Sequence, residues 1–333
     1  MVKNIGFIKK GSLLFKSKIN KAISIIVTKN LAVRKNESFL IVYDSKKSLL
    51  AKRFIKVASS LIENVDSIKI PILKANGSEP SKEIGSKLLK YDAAVLLTSK
   101  SLSHTKARRG ATASGTRIAS MPGITETVLR RSIDIDYSKL KTNTKKLTLL
   151  MNKAKKIRVK SVYGTDISFS VEGRKGHGLS AGIYSKKGKW GNLPEGEAFI
   201  APVEESASGH FVVDGSIAGF GKLRHPVIFF VKDGFVEKIT DGKNPPKIEK
   251  EMNSVGPNGR NIAEFGIGLN RKARVTGIVL EDEKAYGTCH IAIGNNIGFG
   301  GKVDVPLHVD CVFNKPTVYF DGKIVMKKGK LIL

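Results

Sequence analysis

Residues 38–62, SFLIVYDSKKSLLAKRFIKVASSLI, decide the fold class of the first half of the chain. The stretch 38–45 is a short apolar run without polar alternation, the texture of a strand buried on both faces. The stretch 46–62 then spaces its apolar residues as a helix does. SIKIPILKA (67–75) and DAAVLLTS (92–99) repeat the strand texture, and SKEIGSKLLKY (81–91) repeats the helical one. That alternation predicts a parallel, three-layer α/β sheet. Further on, SLSHTKARRGATASGTRIASMPGIT (101–125) predicts a helix over 105–114 and a strand around RIASMPG. His104 then falls just beyond the carboxyl end of the strand at 92–99, the edge where open α/β sheets bind ligands. It is the candidate substrate-binding residue of this half, the other reading being a surface-loop histidine.

From about residue 158 the texture changes. KLKTNTKKLTLLMNKAKKI (139–157) reads as a basic helix joining two halves, and beyond it apolar and polar residues alternate between Gly and Asp-Gly turns. GHFVVDGSIAGFG (209–221) and VYFDGKIVMKKGKLIL (318–333) are hairpin signals of this kind. The expected organisation is an α/β domain over residues 1–145 and a mainly antiparallel, β-rich (α+β) domain over 146–333, with a helix around 246–253.

The 333 residues carry 58 Lys and Arg against 29 Asp and Glu, a formal net charge of +29. Residues 1–150 hold 30 of the basic groups and only 10 of the acidic ones, so the excess is mostly N-terminal. Only 13 of the basic residues are arginine, the side chain that bidentate phosphate and base recognition favours. No nucleic-acid module motif is present, and no nucleic-acid partner is expected despite the charge. No apolar run reaches the ~20 residues that span a bilayer. The opening MVKNIGFIKKGSLLFKSKINKAISIIV (1–27) is broken by lysine throughout, unlike a secretory leader. With two cysteines, Cys289 and Cys311, the chain suits a reducing compartment, and a cytoplasmic location is expected.

Four stretches place ionisable groups on what read as apolar strands. They are Glu197 in GNLPEGEAFIAPVE (191–204), Glu264 in NIAEFGIGLN (261–270), His290 in EDEKAYGTCHIAIG (281–294), and His308 with Asp310 in VPLHVDCVF (305–313). On a strand, residues two apart share a face, so His308 and Asp310 point one way while Leu307, Val309 and Cys311 point the other. Buried singly, each of these groups costs several kcal/mol or is forced neutral. Gathered around a cation they satisfy one another. Two imidazoles and three carboxylates suit Zn, Mn, Co or Fe(II), one or two ions per chain. The competing reading is an internal ion-pair network, for instance with Lys284 or Lys302.

GNLPEGEAFIAPVE, VVDGS, NIAEFGIG, LEDEKAYGTCHIAIG, FGG and LHVD, in that order, resemble the C-terminal half of the thermophilic metallo-aminopeptidases of the aminopeptidase T and aminopeptidase S type. SHTKAR and ASMPGIT resemble short relatives of that family. The resemblance implies a β-rich metal-binding domain, a homodimer and a two-metal centre held by Glu197, Glu264, His290, His308 and Asp310. Glu197 or Glu264 would double as proton acceptor for the attacking water. The expectation is an aminopeptidase-like hydrolase acting on peptides. One position departs from the family: its metal-site tyrosine, seven residues after the first histidine, is Ile297 here. The 2,5-dihydroxypyridine ring-cleaving dioxygenases resemble the same family and supply the alternative. There a single Fe(II) would sit on His290, His308 and Asp310, with Glu197 as an outer or acid-base group and His104 as a substrate contact.

Overall fold

The computed structural model describes residues 17–240 and 245–333. The basic opening stretch read above lies outside the described residues through position 16. The chain forms two compact units: residues up to Ile135 together with Gly182–Glu195, and Asp136–Ala181 together with Gly196–Leu333. The boundary expected between residues 145 and 146 falls inside a helix, Tyr137–Lys153, whose first turn is capped by Asp136 through Lys139 N at 3.0 Å. Among the described residues no helix is long and apolar enough to cross a membrane.

The first unit is built on a parallel sheet of Ser38–Asp44 (β1), Asn64–Ile70 (β2), Ala93–Leu97 (β3), Arg117–Ser120 (β4) and Trp190–Asn192 (β7), in the order β2-β1-β3-β4-β7. The two strands inside the sheet with the most continuous apolar runs, β1 and β3, are buried along most or all of their length, as a sheet covered on both faces requires. Helices Ser48–Ala58 (α2), Lys82–Leu88 (α3) and Lys106–Ala113 (α4) follow β1, β2 and β3, after Lys18–Ile25 (α1). In α2 the buried positions are Leu50, Ala51, Phe54, Val57 and Ala58, one stripe at helical spacing, while Lys52, Arg53 and Lys56 face outward. Two expectations need correcting. The strand sought at 67–75 runs instead from Asn64 to Ile70 and stops before Pro71, which has no N–H for a ladder. The fifth strand, β7, comes from residues 190–192, far along the chain, and no local pattern announces it.

The second unit holds two antiparallel sheets. Glu197–Ile200 (β8), Ser216–Ile217 (β10), Gly221–Lys222 (β11), Ile262–Gly268 (β14), Thr288–Gly294 (β15) and His308–Asn314 (β16) form one, in the order β11-β10-β16-β15-β14-β8. Lys156–Lys160 (β5), Asp166–Ser170 (β6), Ser208–Val213 (β9), Val227–Lys232 (β12), Phe235–Thr240 (β13), Thr317–Phe320 (β17), Lys323–Lys327 (β18) and Lys330–Leu331 (β19) form the other, in the order β13-β12-β9-β6-β5-β17-β18-β19. The helix at Pro245–Asn253 lies where one was expected. Asp233-Gly234 and Asp321-Gly322 both take positive φ, the backbone a two-residue hairpin demands. Asp214-Gly215 does not make such a turn. β9 and β10 belong to different sheets, and the pair carries the chain between them, with Asp214 accepting from Asn314 N at 2.8 Å. The antiparallel texture of this half is as expected, and the hairpin of 209–221 forms not at Asp214-Gly215 but between β10 and β11, with Ser216 opposite Lys222 and Ile217 opposite Gly221.

The core of the first unit gathers Leu40, Val42, Ile70, Ile84, Leu88, Leu96 and Ile118. Leu96 is fully buried at the centre of this cluster. Its truncation in Leu96→Ala should lower unfolding free energy by about 2–5 kcal/mol, read as a fall in the denaturant midpoint with an unchanged slope.

Candidate metal centre

The site grows from the register of three neighbouring strands. β14 pairs β15 with Gly266 opposite His290 and Glu264 opposite Ala292, and β15 pairs β16 with Ala292 opposite Asp310 and Gly294 opposite His308. β8 joins β14 with Glu197 opposite Gly268 and Phe199 opposite Gly266. Directly opposed residues share a face, and so do residues two apart. Glu197, Phe199, Glu264, His290, His308 and Asp310 therefore all project from one face, and their opposite numbers are Gly266, Gly268, Ala292 and Gly294, with Val312 on the far side of His290. The other face carries Phe265, Ile267, Cys289, Ile291, Ile293, Val309, Cys311 and Phe313, all buried. The cysteines are free thiols on that apolar side, where burial pushes both well above the ordinary thiol range.

The small residues make the space. A β-carbon at Gly266 would come within 2.1 Å of Cε1 and Nε2 of His290, so the imidazole lies directly over that glycine. His290 is completely buried and its Nε2 lies 3.1 Å from Glu264 Oε1 and 3.6 Å from Glu197 Oε2. His308 Nε2 stands 3.6 Å from Glu264 Oε2 and 3.4 Å from Asp310 Oδ1. His308 Nδ1 donates to Asn295 O at 2.9 Å, which turns Nε2 toward the carboxylates and fixes the tautomer a metal ligand needs. One ligand atom each from Glu264, His290 and Asp310 lie within 4.8 Å of one another. All five expected ligands thus come together. Glu197 differs from the rest in that its Oε1 accepts a hydrogen bond from Lys284 Nζ. Its Oε2 is a buried atom without a hydrogen-bond partner.

The electrostatics show what this face lacks. Burial opposes charge on His290, yet the Glu264 hydrogen bond and the charges of Glu197, Glu264 and Asp310 outweigh it and raise the imidazole to about 9. On His308 burial is likewise overcome, by Asp310 and then Glu264, and the group is raised to about 10. Asp310 is pulled far below the usual carboxylate range, as the charges of His308, His290 and Lys284 outweigh its burial. The cluster thus favours positive charge at both imidazoles. The donors fit a divalent cation: two imidazoles, with carboxylates between and beside them, on a face cleared of side-chain bulk.

Aromatic rings line the same region. His177 stacks on Phe199 at 5.0 Å between centroids, Phe299 meets Phe199 edge-on at 5.4 Å, and Phe299 tilts against His308 at 5.4 Å. His177 Nε2 is buried and has no hydrogen-bond partner. Phe199 was legible from its spacing to Glu197; His177 and Phe299 have no signal of their own in sequence. Ile297, at the position of the aminopeptidase tyrosine, is 51% exposed on a short turn, Ile297–Phe299, so no side-chain donor comes from there. His104 lies in the first unit, exposed, seven residues after the last residue of β3, with its ring edge-on to Trp190 at 6.0 Å. Arg108 covers the same indole, its guanidinium carbon 3.7 Å from the ring centroid.

The family model for 2,5-dihydroxypyridine 5,6-dioxygenase matches residues 26–333. The chain belongs to this family. A 2,5-dihydroxypyridine 5,6-dioxygenase of Pseudomonas putida (strain KT2440) is 27% identical over 196 residues, 55% of this chain and 56% of that protein, so the match spans about half the relative's length. The structure of a 2,5-dihydroxypyridine dioxygenase from Pseudomonas putida KT2440 superposes with a TM-score of 0.80 at 20% identity, over 95% of this chain and 98% of that one. Wild-type AmpT from Thermus thermophilus superposes with a TM-score of 0.70 at 13% identity, over 96% and 100%. At such identities the two structures establish the fold. The aminopeptidase resemblance therefore stands for architecture, and the chain is a member of an enzyme family. The aminopeptidase reading itself, with the hydrolase and protease activity it implied, is overturned, because the family model and the curated relative both name a dioxygenase.

Two outcomes test this geometry. Gly266→Ala forces the His290 ring off its seat and should weaken divalent-metal affinity by roughly 10- to 100-fold, the range seen when ligand orientation is lost, with the chain still folded by circular dichroism. Uptake of a divalent ion must also displace imidazole protons, so affinity should rise with pH from 7 toward 9. Calorimetric titrations in buffers of different ionisation enthalpy should register that proton release.

Proposed function

We propose that the protein is a mononuclear non-heme Fe(II) dioxygenase that opens the ring of a hydroxypyridine or catechol-like substrate. The observation that carries this reading is the pair of imidazoles, His290 and His308, with Asp310 on one cleared sheet face beside a layer of aromatic rings. Two histidines and one carboxylate with open positions are the donor set of non-heme Fe(II) oxygenases. Membership of the dioxygenase family supports it.

His290, His308 and Asp310 would hold the iron, with Glu264 between the two imidazoles. When bound, ferrous iron supplies the electron-transfer chemistry that lets dioxygen react with an aromatic ring. The chain's own residues do the rest. Asn295 O holds His308 in one tautomer, and the Ile267, Ile291, Phe313 side of the sheet keeps the strands rigid beneath the site. Phe199, Phe299 and His177 offer flat apolar surface to a planar substrate and shield the face from water. Glu197, with one oxygen held by Lys284 and the other unpartnered, is placed to take a proton from a phenolic hydroxyl.

The test is oxygen uptake by anaerobically purified, Fe(II)-loaded protein with 2,5-dihydroxypyridine. Uptake should match loss of the ring's ultraviolet absorption, stop without oxygen, and leave amino-acid p-nitroanilides untouched. Undiminished anaerobic turnover, or anilide hydrolysis, would sink the reading. In His308→Ala, iron retention and turnover should fall by more than the roughly 100-fold that loss of an outer-shell partner costs, with the fold kept.

A further inference from the structure

Lys284 is the one lysine sequestered beside the carboxylates of this face among the described residues, only 2% exposed. Its ammonium donates to Glu197 Oε1 and, at 2.5 Å, to Glu283 Oε1, both carboxylates being buried as well. Its backbone is pinned on two sides. The Lys284 N–H donates to Glu281 O at 3.0 Å, closing the turn after the short helix Val279–Asp282, and the Lys284 carbonyl accepts from Asn270 N at 2.8 Å. Asn270 lies two residues beyond the end of β14, and Gly196, just before Glu197, leaves no room for a β-carbon against Asn270. The backbone on both sides of the lysine and the glutamate is thus fixed, and the buried ammonium lies between two carboxylates that accept from it.

Buried carboxylates are normally neutralised by a hydrogen-bonded cation or a metal ion. On this face the carboxylates divide into two groups. Glu264 and Asp310 lie with the two imidazoles, while Glu197 and Glu283 share the ammonium, Glu197 reaching His290 only through its other oxygen at 3.6 Å. The oxygen of Glu197 that faces away from His290 is occupied by Lys284. A second divalent ion bound there would have to displace the ammonium or sit against it, and like charges at such range in a desolvated site repel strongly.

We propose that Lys284 is a built-in cation standing where a second metal ion would otherwise bind, holding Glu197 outside the ligand set and limiting the face to one divalent ion. The inference rests on the metal-site reading above and deepens it: it gives the physical reason for a one-ion centre. Lys284 is a positioning residue in this role. It touches neither substrate nor ion and acts through Glu197.

The experiment loads the full-length chain anaerobically with Mn(II), removes free ion by gel filtration, and measures manganese per chain together with the electron paramagnetic resonance spectrum. The wild type should hold one ion with the six-line signal of isolated Mn(II). Lys284→Met, which keeps length and removes charge, should take up a second ion and show an exchange-coupled signal. Lys284→Arg should return to one ion. Because Lys284→Met leaves two buried carboxylates uncompensated and can fail to fold, Glu197→Gln serves as the second variant. It should still hold one ion, with affinity changed less than tenfold. Two ions in the wild type, one ion in folded Lys284→Met, or loss of the ion in Glu197→Gln would each overturn the role of Lys284 while leaving a metal centre intact. A wild type that binds no ion would instead remove the metal-site reading, and this inference with it.

Discussion

The site depends on the strand register across β14, β15 and β16. In an antiparallel ladder a one-residue slip sends every side chain to the opposite face. Here such a slip would drive the carboxylates and imidazoles into the apolar packing of Phe265, Ile291 and Phe313 and set those bulky groups on the polar face in their place. The cost on both faces makes the register one of the most strongly specified features of the second unit. It places a glycine or alanine opposite each candidate ligand on at least one neighbouring strand, and the close seat of the His290 ring over Gly266 follows from that pairing.

Once register is set, charge decides the rest. Three carboxylates within reach of two imidazoles pull both imidazoles toward the protonated state and hold Asp310 ionised. The arrangement is costly as an ion-pair network and suited to a cation, which would engage neutral imidazole nitrogens and carboxylate oxygens together. The two readings weighed from sequence, a metal site and an internal network with Lys284, draw on adjoining side chains. The lysine pairs Glu197 and Glu283, the histidines pair Glu264 and Asp310, and Glu197 bridges the two groups, its Oε2 3.6 Å from His290 Nε2.

The mistaken expectation of peptidase activity has a physical cause. Glutamate, histidine and aspartate on these strands are donors for a hydrolytic metal and for iron alike, and the order of motifs along the chain records only that a common fold delivers them. The features in which this site can differ from a peptidase's lie outside the donors: Ile297 at the position of the expected tyrosine, the aromatic layer of His177, Phe199 and Phe299, and the lysine beside Glu197. Of these only the first was read in sequence as a departure. Stacking of His177 on Phe199 joins residues 22 apart through an isolated bridge between strand segments, which no local periodicity encodes.

The sequence by itself determined the parallel αβ texture of the first half, the antiparallel texture of the second, and the candidate ligands, because buried strands and helices leave periodic apolar marks and an ionisable group on an apolar strand stands out against them. It also placed the cysteines on the face opposite the ligands, a consequence of the two-residue period of a strand. Tertiary structure alone decided that Glu197, Glu264, His290, His308 and Asp310 meet, that residues 190–192 return to the first sheet, and that Lys284 claims Glu197. These are pairings between strands and loops distant in the chain. Their free energy comes from long-range register and shared burial, and a one-dimensional pattern carries no term for either.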